Sequence, residues 1–84
     1  MISVLWFAWL RERVGAGEER LSLPEGVTDV GSLLAWLPTL DARHASAFER
    51  PGLVRCAVNQ VFATGTDAVR DGDEVALFPP VTGG

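Results

Sequence analysis

The sequence of 84 residues contains no lysine and a single cysteine, Cys56. One thiol excludes an internal disulfide, a Cys-x-x-Cys redox pair and a four-thiolate iron–sulfur cluster. Without lysine, the chain cannot form the Gly-x-x-x-x-Gly-Lys-Ser/Thr loop that cradles the phosphates of ATP. Cys56 alternates with Val54 and Val58 in a strand-like segment, where a thiol behaves as a small hydrophobe. We therefore expect a protein of a reducing compartment in which Cys56 is buried and unreactive.

Positive charge is scarce. The sequence has seven basic residues, all arginine and scattered singly, and eleven acidic residues, which gives a net charge of −4. The electrostatic field of an acidic protein repels polyphosphate. The sequence also has no run or stripe of basic residues that could bind an anionic membrane surface. We therefore expect neither a nucleic-acid partner nor a membrane partner.

Long apolar runs are also missing. The most apolar segment, ISVLWFAWL at residues 2–10, is too short to span a bilayer. The sequence lacks the basic opening and the small-residue cleavage site of a signal peptide. These observations predict a cytoplasmic protein.

No group of residues is typical of a metal centre or a self-contained active site. His44 is the only histidine, and it has no cysteine or carboxylate pair at metal-ligand spacing, so we interpret it as a surface residue. Neither a Gly-x-Ser-x-Gly elbow nor a Ser, His and Asp grouping is present. Asp71, Asp73 and Glu74 cluster near a turn and are interpreted as solvated. We expect no metal and no intrinsically bound cofactor.

The chain does contain enough apolar residues, 48% of the total, for one hydrophobic core. Alternation of side-chain type predicts several extended segments. They are ISVLWFAWL (2–10), EERLSLPEG (18–26), LVRCAVNQ (53–60), a short strand or turn in VFATG (61–65), and RDGDEVALFP (70–79). Glycines in RERVGAG predict a turn that joins the first two strands as an antiparallel hairpin.

One main helix is predicted after Thr28 or Asp29, either of which can cap its start. Its apolar face has the i, i+3, i+4, i+7 spacing. The residues on that face are Val30, Leu33, Leu34 and Leu37. Pro38 ends the helix, and TLDARHASAFER (39–50) predicts a second, short helical segment.

This element order predicts an α+β fold, the ubiquitin-like β-grasp, with a mixed sheet packed on the main helix. A right-handed crossover would place the last strand parallel to the first in the middle of the sheet. The first strand would then have two apolar faces, and its outer face would carry Leu5, Phe7 and Trp9 beside Phe78. An exposed patch of that size predicts an interface. We expect a β-grasp domain over 1–78 and an extended, flexible C-terminal Gly-Gly tail over 79–84.

The tail has features that suit insertion into another protein. Pro79 and Pro80 hold the chain extended and remove two hydrogen-bond donors. Six extended residues reach about 20 Å, and Gly83 and Gly84 fit a channel too narrow for any side chain. The α-carboxylate of Gly84 would be the first group to enter such a channel. It needs activation, most simply as an acyl-adenylate, before a lysine or a persulfide attacks it.

Three segments carry a specific resemblance over the whole chain. DGDEVALFPPVTGG (71–84), VLWFAWLRERVG (4–15) and AVNQ (57–60) resemble the small, sulfur-carrier subunits of molybdopterin synthases. Trp9 departs from the family pattern, because a more polar residue is expected there.

The resemblance implies a β-grasp protein whose Gly84 is adenylated with ATP by a ubiquitin-activating-type adenylyltransferase. A sulfurtransferase or cysteine desulfurase would supply the sulfur that makes the thiocarboxylate. Two transfers inside the large subunit would then build the dithiolene of molybdopterin from cyclic pyranopterin monophosphate, in a heterotetramer. The chain would be a non-catalytic sulfur donor, with the catalytic residues on the large subunit. Gly84 is the expected acyl site and Gly83 the threading residue. The expected partner contacts are Leu5, Phe7, Trp9, Phe78, Pro79, Pro80, Val81 and Thr82.

Three alternatives remain open. A β-grasp sulfur carrier for thiamine or another thio-cofactor also ends in Gly-Gly. A ubiquitin-like modifier would attach Gly84 to lysines of other proteins, although it could not build chains on itself without lysine. A frayed terminus is the third interpretation of VTGG.

Overall fold

The computed structural model describes residues 1–80. The predicted tail positions Val81, Thr82, Gly83 and Gly84 lie outside the described residues.

A five-stranded mixed sheet forms one layer of the molecule, with the strand order β2-β1-β5-β3-β4. The strands are β1 (Ile2–Trp6), β2 (Glu18–Leu21), β3 (Arg55–Val58), β4 (Val61–Ala63) and β5 (Glu74–Phe78). β5 lies in the centre, parallel to β1 and antiparallel to β3, and the two hairpin partners β2 and β4 form the edges. The predicted parallel pairing of the first and last strands is confirmed.

Helices form the other layer. They are α1 (Ala8–Val14), α2 (Val30–Trp36) and α3 (Ala42–Ala47), with short 3-10 turns at Leu37–Thr39 and Pro51–Leu53. α2 begins as predicted at Asp29, whose carboxylate accepts a hydrogen bond from the Ser32 backbone N–H at 2.8 Å. The Ser32 hydroxyl accepts in return from the Asp29 N–H at 3.2 Å, which completes a capping box. Among residues 1–80, no helix has the length and apolar character needed to cross a membrane.

The core lies between these two layers. Alternate residues of the central strands are buried, as period-two geometry requires, and the helices cover them. The fully buried large side chains are Ile2, Val4, Trp6, Leu10, Val30, Leu33, Leu37, Val75 and Leu77. This arrangement is the predicted α+β, ubiquitin-like β-grasp fold. α2 is the predicted main helix and α3 lies in the predicted second helical segment, whereas α1 was not expected.

The first strand is shorter than predicted. β1 ends at Trp6, and the residues that we assigned to its second half form α1 instead. The connection to β2 is therefore a helix and not a tight turn, although the two strands do pair antiparallel. The change of direction occurs at Ala8, which has a φ of +55°. Two sequence signals for α1 are Leu10 and Val14, buried at i and i+4, and Gly15, which ends the helix at a φ of +86°.

Ala8→Gly should stabilise the fold. A left-handed backbone conformation strains alanine but not glycine, which favours the substitution. Glycine also loses more conformational entropy on folding, which opposes it. We expect a net increase of about 0.5–1 kcal/mol in the free energy of unfolding. Urea denaturation would measure the free energy of unfolding. Ala35→Gly is the matched control because Ala35 is exposed within α2, and there glycine should destabilise by about 0.5–1 kcal/mol. A loss of stability in both variants would contradict the expectation.

Candidate functional site

The face of the sheet that points away from the helices has no covering layer among residues 1–80. Leu5, Ala76, Ala57 and Phe62 are paired in register across four strands and form an apolar row on this face. Leu5 and Ala76 alternate with the buried residues of β1 and β5, so their side chains point outward. Ala57 and Phe62 share this face by register, although Ala57 is only 9% exposed. The result is an apolar surface on the side where solvated sheets normally carry polar residues.

Two further aromatic residues, Phe7 and Phe78, add to the apolar surface of this row. Phe62 is 81% exposed, and its ring meets the half-buried ring of Phe78 edge to face, with centroids 5.8 Å apart. Phe7 is 48% exposed, and its N–H donates to the Leu77 carbonyl at 3.0 Å, which places it beside the end of β5. Large exposed aromatics on one face are typical of a protein interface. We call the set formed by Leu5, Phe7, Phe62, Ala76 and Phe78 the apolar outer face.

The chain leaves the sheet at the edge of this face. Phe78 is the last residue of the central strand, and Pro79 and Pro80 follow it outside the strand, both half-buried. Proline has no N–H to continue the ladder, so β5 ends at this point. The first two residues of the predicted tail, Pro79 and Pro80, therefore lie next to the aromatic end of the apolar outer face.

The structure brings together three of the predicted partner contacts and separates a fourth. Leu5, Phe7 and Phe78 lie together, as expected. Trp9 does not lie on the outer face of a strand, because it belongs to α1, where it is half-buried against the core. The Arg13 guanidinium carbon lies 5.7 Å from the centre of the Trp9 ring. Placing Trp9 on the sheet was therefore wrong, and its contact with a partner stays a prediction.

Phe62 was missed by the sequence analysis. A signal for it exists, because a two-residue turn at Asn59 and Gln60 connects β3 to β4, and both residues have positive φ, +50° and +69°. That turn type fixes the register of a hairpin. Once the register is known, Phe62 must lie opposite Ala57 and share its face.

His44 is buried, with 5% exposure, and the prediction of a surface histidine was wrong. Its Nδ1 lies 2.7 Å from Asp41 Oδ1, and its Nε2 lies 2.7 Å from Glu19 Oε1. Trp6 Nε1–H donates to the same Glu19 oxygen at 2.9 Å. Burial disfavours the charged ring, but the hydrogen bonds that the ring donates to the Asp41 and Glu19 carboxylates, and their negative charges, outweigh burial and raise the pKa of His44 above its ordinary value. This network ties α3 to β1 and β2.

Other candidate reactive groups are inert or absent within residues 1–80. Cys56 is buried, as predicted, and burial raises the pKa of its thiol to about 11, so it stays protonated at neutral pH. No group of three or more histidine, cysteine, aspartate or glutamate side chains in this part of the chain could hold a metal ion. The feature of residues 1–80 that remains as a candidate site is the apolar outer face.

Comparison with known proteins gives a consistent relationship. A model of the ThiS family matches residues 4–84. The chain is 40% identical to the molybdopterin synthase sulfur carrier subunit of Escherichia coli and 36% identical to that of Haemophilus influenzae, and each match covers 100% of both chains. Its structure is similar to SAMP1, a small archaeal modifier protein from Haloferax volcanii, with a TM-score of 0.73 and 30% identity over 99% of this chain and 98% of the other.

These matches span the β-grasp domain and the Phe-Pro-Pro segment together. A relationship over the whole length, and not a shared fold alone, connects the chain with the sulfur carrier subunits, and the chain therefore belongs to the ThiS family.

Proposed function

We propose that this protein is the sulfur-carrier subunit of a molybdopterin synthase. The observation that carries the proposal is the exit of the chain at Phe78-Pro79-Pro80 from the central strand, directly beside an uncovered apolar face. A carrier needs a surface for its partners and a tail that leaves the fold next to that surface. The full-length relationship to sulfur carrier subunits supports the same role.

The tail would be loaded in three steps. A carboxylate oxygen of Gly84 attacks the α-phosphorus of ATP on a ubiquitin-activating-type adenylyltransferase, which releases pyrophosphate and leaves a glycyl-adenylate. The terminal sulfur of a persulfide, formed on a sulfurtransferase or cysteine desulfurase, then attacks the carbonyl carbon and displaces AMP. A second thiol cleaves the sulfur–sulfur bond, so that a disulfide leaves and the thiocarboxylate remains on Gly84. The partners supply every catalytic residue in this scheme.

Delivery would take place inside the large subunit. The tail of residues 79–84 enters its active site, with Gly83 in the narrowest part. The thiocarboxylate sulfur attacks a side-chain carbon of the pterin precursor and displaces an oxygen substituent from it, and water then hydrolyses the thioester, so that the sulfur stays on the pterin and Gly84 returns to a carboxylate. Two such transfers supply the two sulfur atoms of the dithiolene in molybdopterin, starting from cyclic pyranopterin monophosphate. We propose a cytoplasmic heterotetramer in which a central dimer of large subunits carries one small subunit at each end.

The apolar outer face would dock on both partners. Phe78→Ala should weaken binding to the adenylyltransferase and to the large subunit by about 2 kcal/mol or more, because truncation of a buried aromatic anchor commonly costs that much. Phe62→Ala should act similarly without changing stability, since its side chain is 81% exposed. Isothermal titration calorimetry measures both effects. Val61→Ala is the control because Val61 is exposed but points away from the apolar outer face, and unchanged affinity in both phenylalanine variants would remove this face from the interface.

Intact mass spectrometry tests the proposal itself. The protein would be incubated with the adenylyltransferase, ATP and a persulfide donor, and then fragmented to locate any change. Replacement of one oxygen by one sulfur at Gly84 is expected. An unchanged mass, with an adenylyltransferase that is active on a known carrier, would contradict the carrier role.

A second candidate function is protein modification. The structural similarity to SAMP1 favours it, because that protein is described as a modifier. In this function a lysine of a target protein attacks the glycyl-adenylate or a thioester derived from it, and an isopeptide forms. Fragment spectra of a cell extract would then contain lysines that carry the C-terminal residues of this chain. A carrier for another thio-cofactor, such as thiamine, is distinguished by exchange of the large subunit for the partner enzyme of that pathway.

A further inference from the structure

A groove separates the start of α1 from the end of α3 and the turn Pro51–Leu53. It has a volume of about 360 Å³. Its walls are lined by Trp9, Arg13, Ser46, Glu49, Arg50 and Leu53. The ring of Trp9 and the 39% exposed side chain of Leu53 form its apolar part. We call this feature the arginine groove.

The polar part of the groove is positive. Arg13 donates to the Ser46 carbonyl at 2.9 Å and lies 3.7 Å from a Glu49 carboxylate oxygen, so its position is fixed and its charge is largely balanced. Arg50 adds a second guanidinium from an exposed position. Two arginines against one glutamate leave a net charge of +1 in a groove on a chain whose net charge is −4. A carboxylate is the group that complements this site, because guanidinium presents a fork of donors that matches it.

The arginine groove is continuous with the apolar outer face. Trp9 follows Phe7 by two residues, and Phe7 donates its N–H to the carbonyl that precedes Phe78. On the opposite wall, Leu53 precedes Arg55 by two residues, and Arg55 is paired in register with Phe78. Both walls of the groove thus lead to residues that flank Phe78, at the end of the sheet where Pro79 and Pro80 leave. A partner that encloses the tail must cover this end of the molecule.

We propose that the arginine groove receives an acidic segment of the large subunit, with a carboxylate on Arg50 and an adjacent apolar side chain on Trp9 and Leu53. This inference rests on the proposed function, and it adds the arginine groove to the apolar outer face as a second part of the docking surface. Charged contacts at the rim of an interface set orientation and the rate of association, so the groove would fix the direction in which the tail enters.

Charge reversal at Arg50 tests the inference. Arg50→Glu should weaken binding to the large subunit about tenfold at low ionic strength, and the difference should shrink at high salt because exposed charges are screened. Arg70→Glu is the matched control: it makes the same change of charge at an exposed arginine that lies at the opposite end of β5 from Phe78. Its affinity should stay within about twofold of the wild type, as expected for a charge away from the interface. Surface plasmon resonance at two salt concentrations measures both variants.

The outcomes separate this inference from the proposed function. If Phe78→Ala weakens binding while Arg50→Glu and Arg70→Glu both bind like the wild type, the arginine groove is not part of the interface and the carrier role stands. If the wild type does not bind the large subunit at all, the carrier role and the groove inference both fail.

Site-specific cross-linking identifies the occupant directly. Arg50→Cys introduces a thiol that a benzophenone maleimide can label selectively, because the native Cys56 is buried and its pKa is raised to about 11. Irradiation of the labelled protein with the large subunit should give cross-links to a peptide that contains aspartate or glutamate beside an apolar residue. Cross-links only to peptides without acidic residues would overturn the inference.

Discussion

Deletion of Gly84 should abolish sulfur transfer and leave the unfolding transition unchanged. Among residues 1–80, every buried core residue lies between Ile2 and Leu77, so the core that the structure describes is complete without Gly84. The shortened tail would still end in a carboxylate, on Gly83, but that group would stop about 3.5 Å short of its position in the wild type. Nucleophilic attack needs reacting atoms about 3–3.5 Å apart, so a displacement of this size prevents it. Differential scanning calorimetry and a molybdopterin synthesis assay measure the two parts of the expectation.

Deletion of Thr82 separates tail length from tail sequence. This variant keeps the terminal Gly-Gly and has the same shortened length. If sulfur transfer depends on tail length, both deletion variants should be inactive. Activity in the Thr82 deletion alone would show that sulfur transfer requires the terminal Gly-Gly sequence. A lost cooperative transition in the Gly84 deletion would mean that the tail is part of the fold, contrary to the expectation.

Replacement of His44 by alanine should have a large effect on stability. The imidazole connects Asp41 and Glu19 across the helical layer and the sheet, and its removal leaves the half-buried Glu19 carboxylate without a charged partner. Loss of a buried hydrogen-bonded group of this kind costs about 2–3 kcal/mol. Urea denaturation at pH 6 measures the free energy of unfolding. A change below about 0.5 kcal/mol, the range of ordinary surface substitutions, would contradict a structural role for the network.

The same network makes stability depend on pH, with a definite sign. The folded state raises the pKa of His44 above its ordinary value of about 6.5, so the folded protein binds the proton more tightly than the unfolded chain does. The contribution is therefore complete below about pH 6.5 and is lost as the pH rises through the folded pKa. The free energy of unfolding of the wild type should fall over this range. His44→Gln removes the titrating group while other groups remain, so it should give a flatter profile between pH 6 and pH 8.

Much of the fold could be predicted from the sequence because its signals are local. The apolar spacing after Asp29 and the capping residue itself predict α2, and alternation predicts the central strands. The end of β1 could not be found in this way, since alanine has no preference for the left-handed backbone that Ala8 adopts. Burial of Leu10 and Val14 stabilises that turn, and burial depends on the tertiary structure. At Ala8, tertiary packing therefore outweighs the backbone preference of the residue.

The candidate site was predictable to a similar degree. Leu5 and Phe78 were placed on a common face because β1 and β5 pair in parallel. Phe62 required the register of the β3–β4 hairpin, which depends on turn geometry at two non-glycine residues. His44 could not be interpreted correctly, because its partners Glu19 and Asp41 are 25 and 3 residues away and meet it only in the folded chain. A single polar residue carries no sequence signal for such a network.

The central position of β5 also has a consequence for protein synthesis. Its pairing with β1 joins Ser3 to Glu74, residues 71 positions apart, so the strand that completes the sheet leaves the ribosome after the other four strands. Until residue 78 has emerged, the nascent chain contains β1 and the helices but lacks β5, the strand that pairs with β1 in the complete sheet. Contacts of such long sequence separation form slowly. Prematurely terminated chains therefore lack the middle of the sheet and are open to proteolysis. Synthesis of β5 would therefore complete the apolar outer face just before Pro79 and Pro80, the residues that leave the sheet beside it, are added.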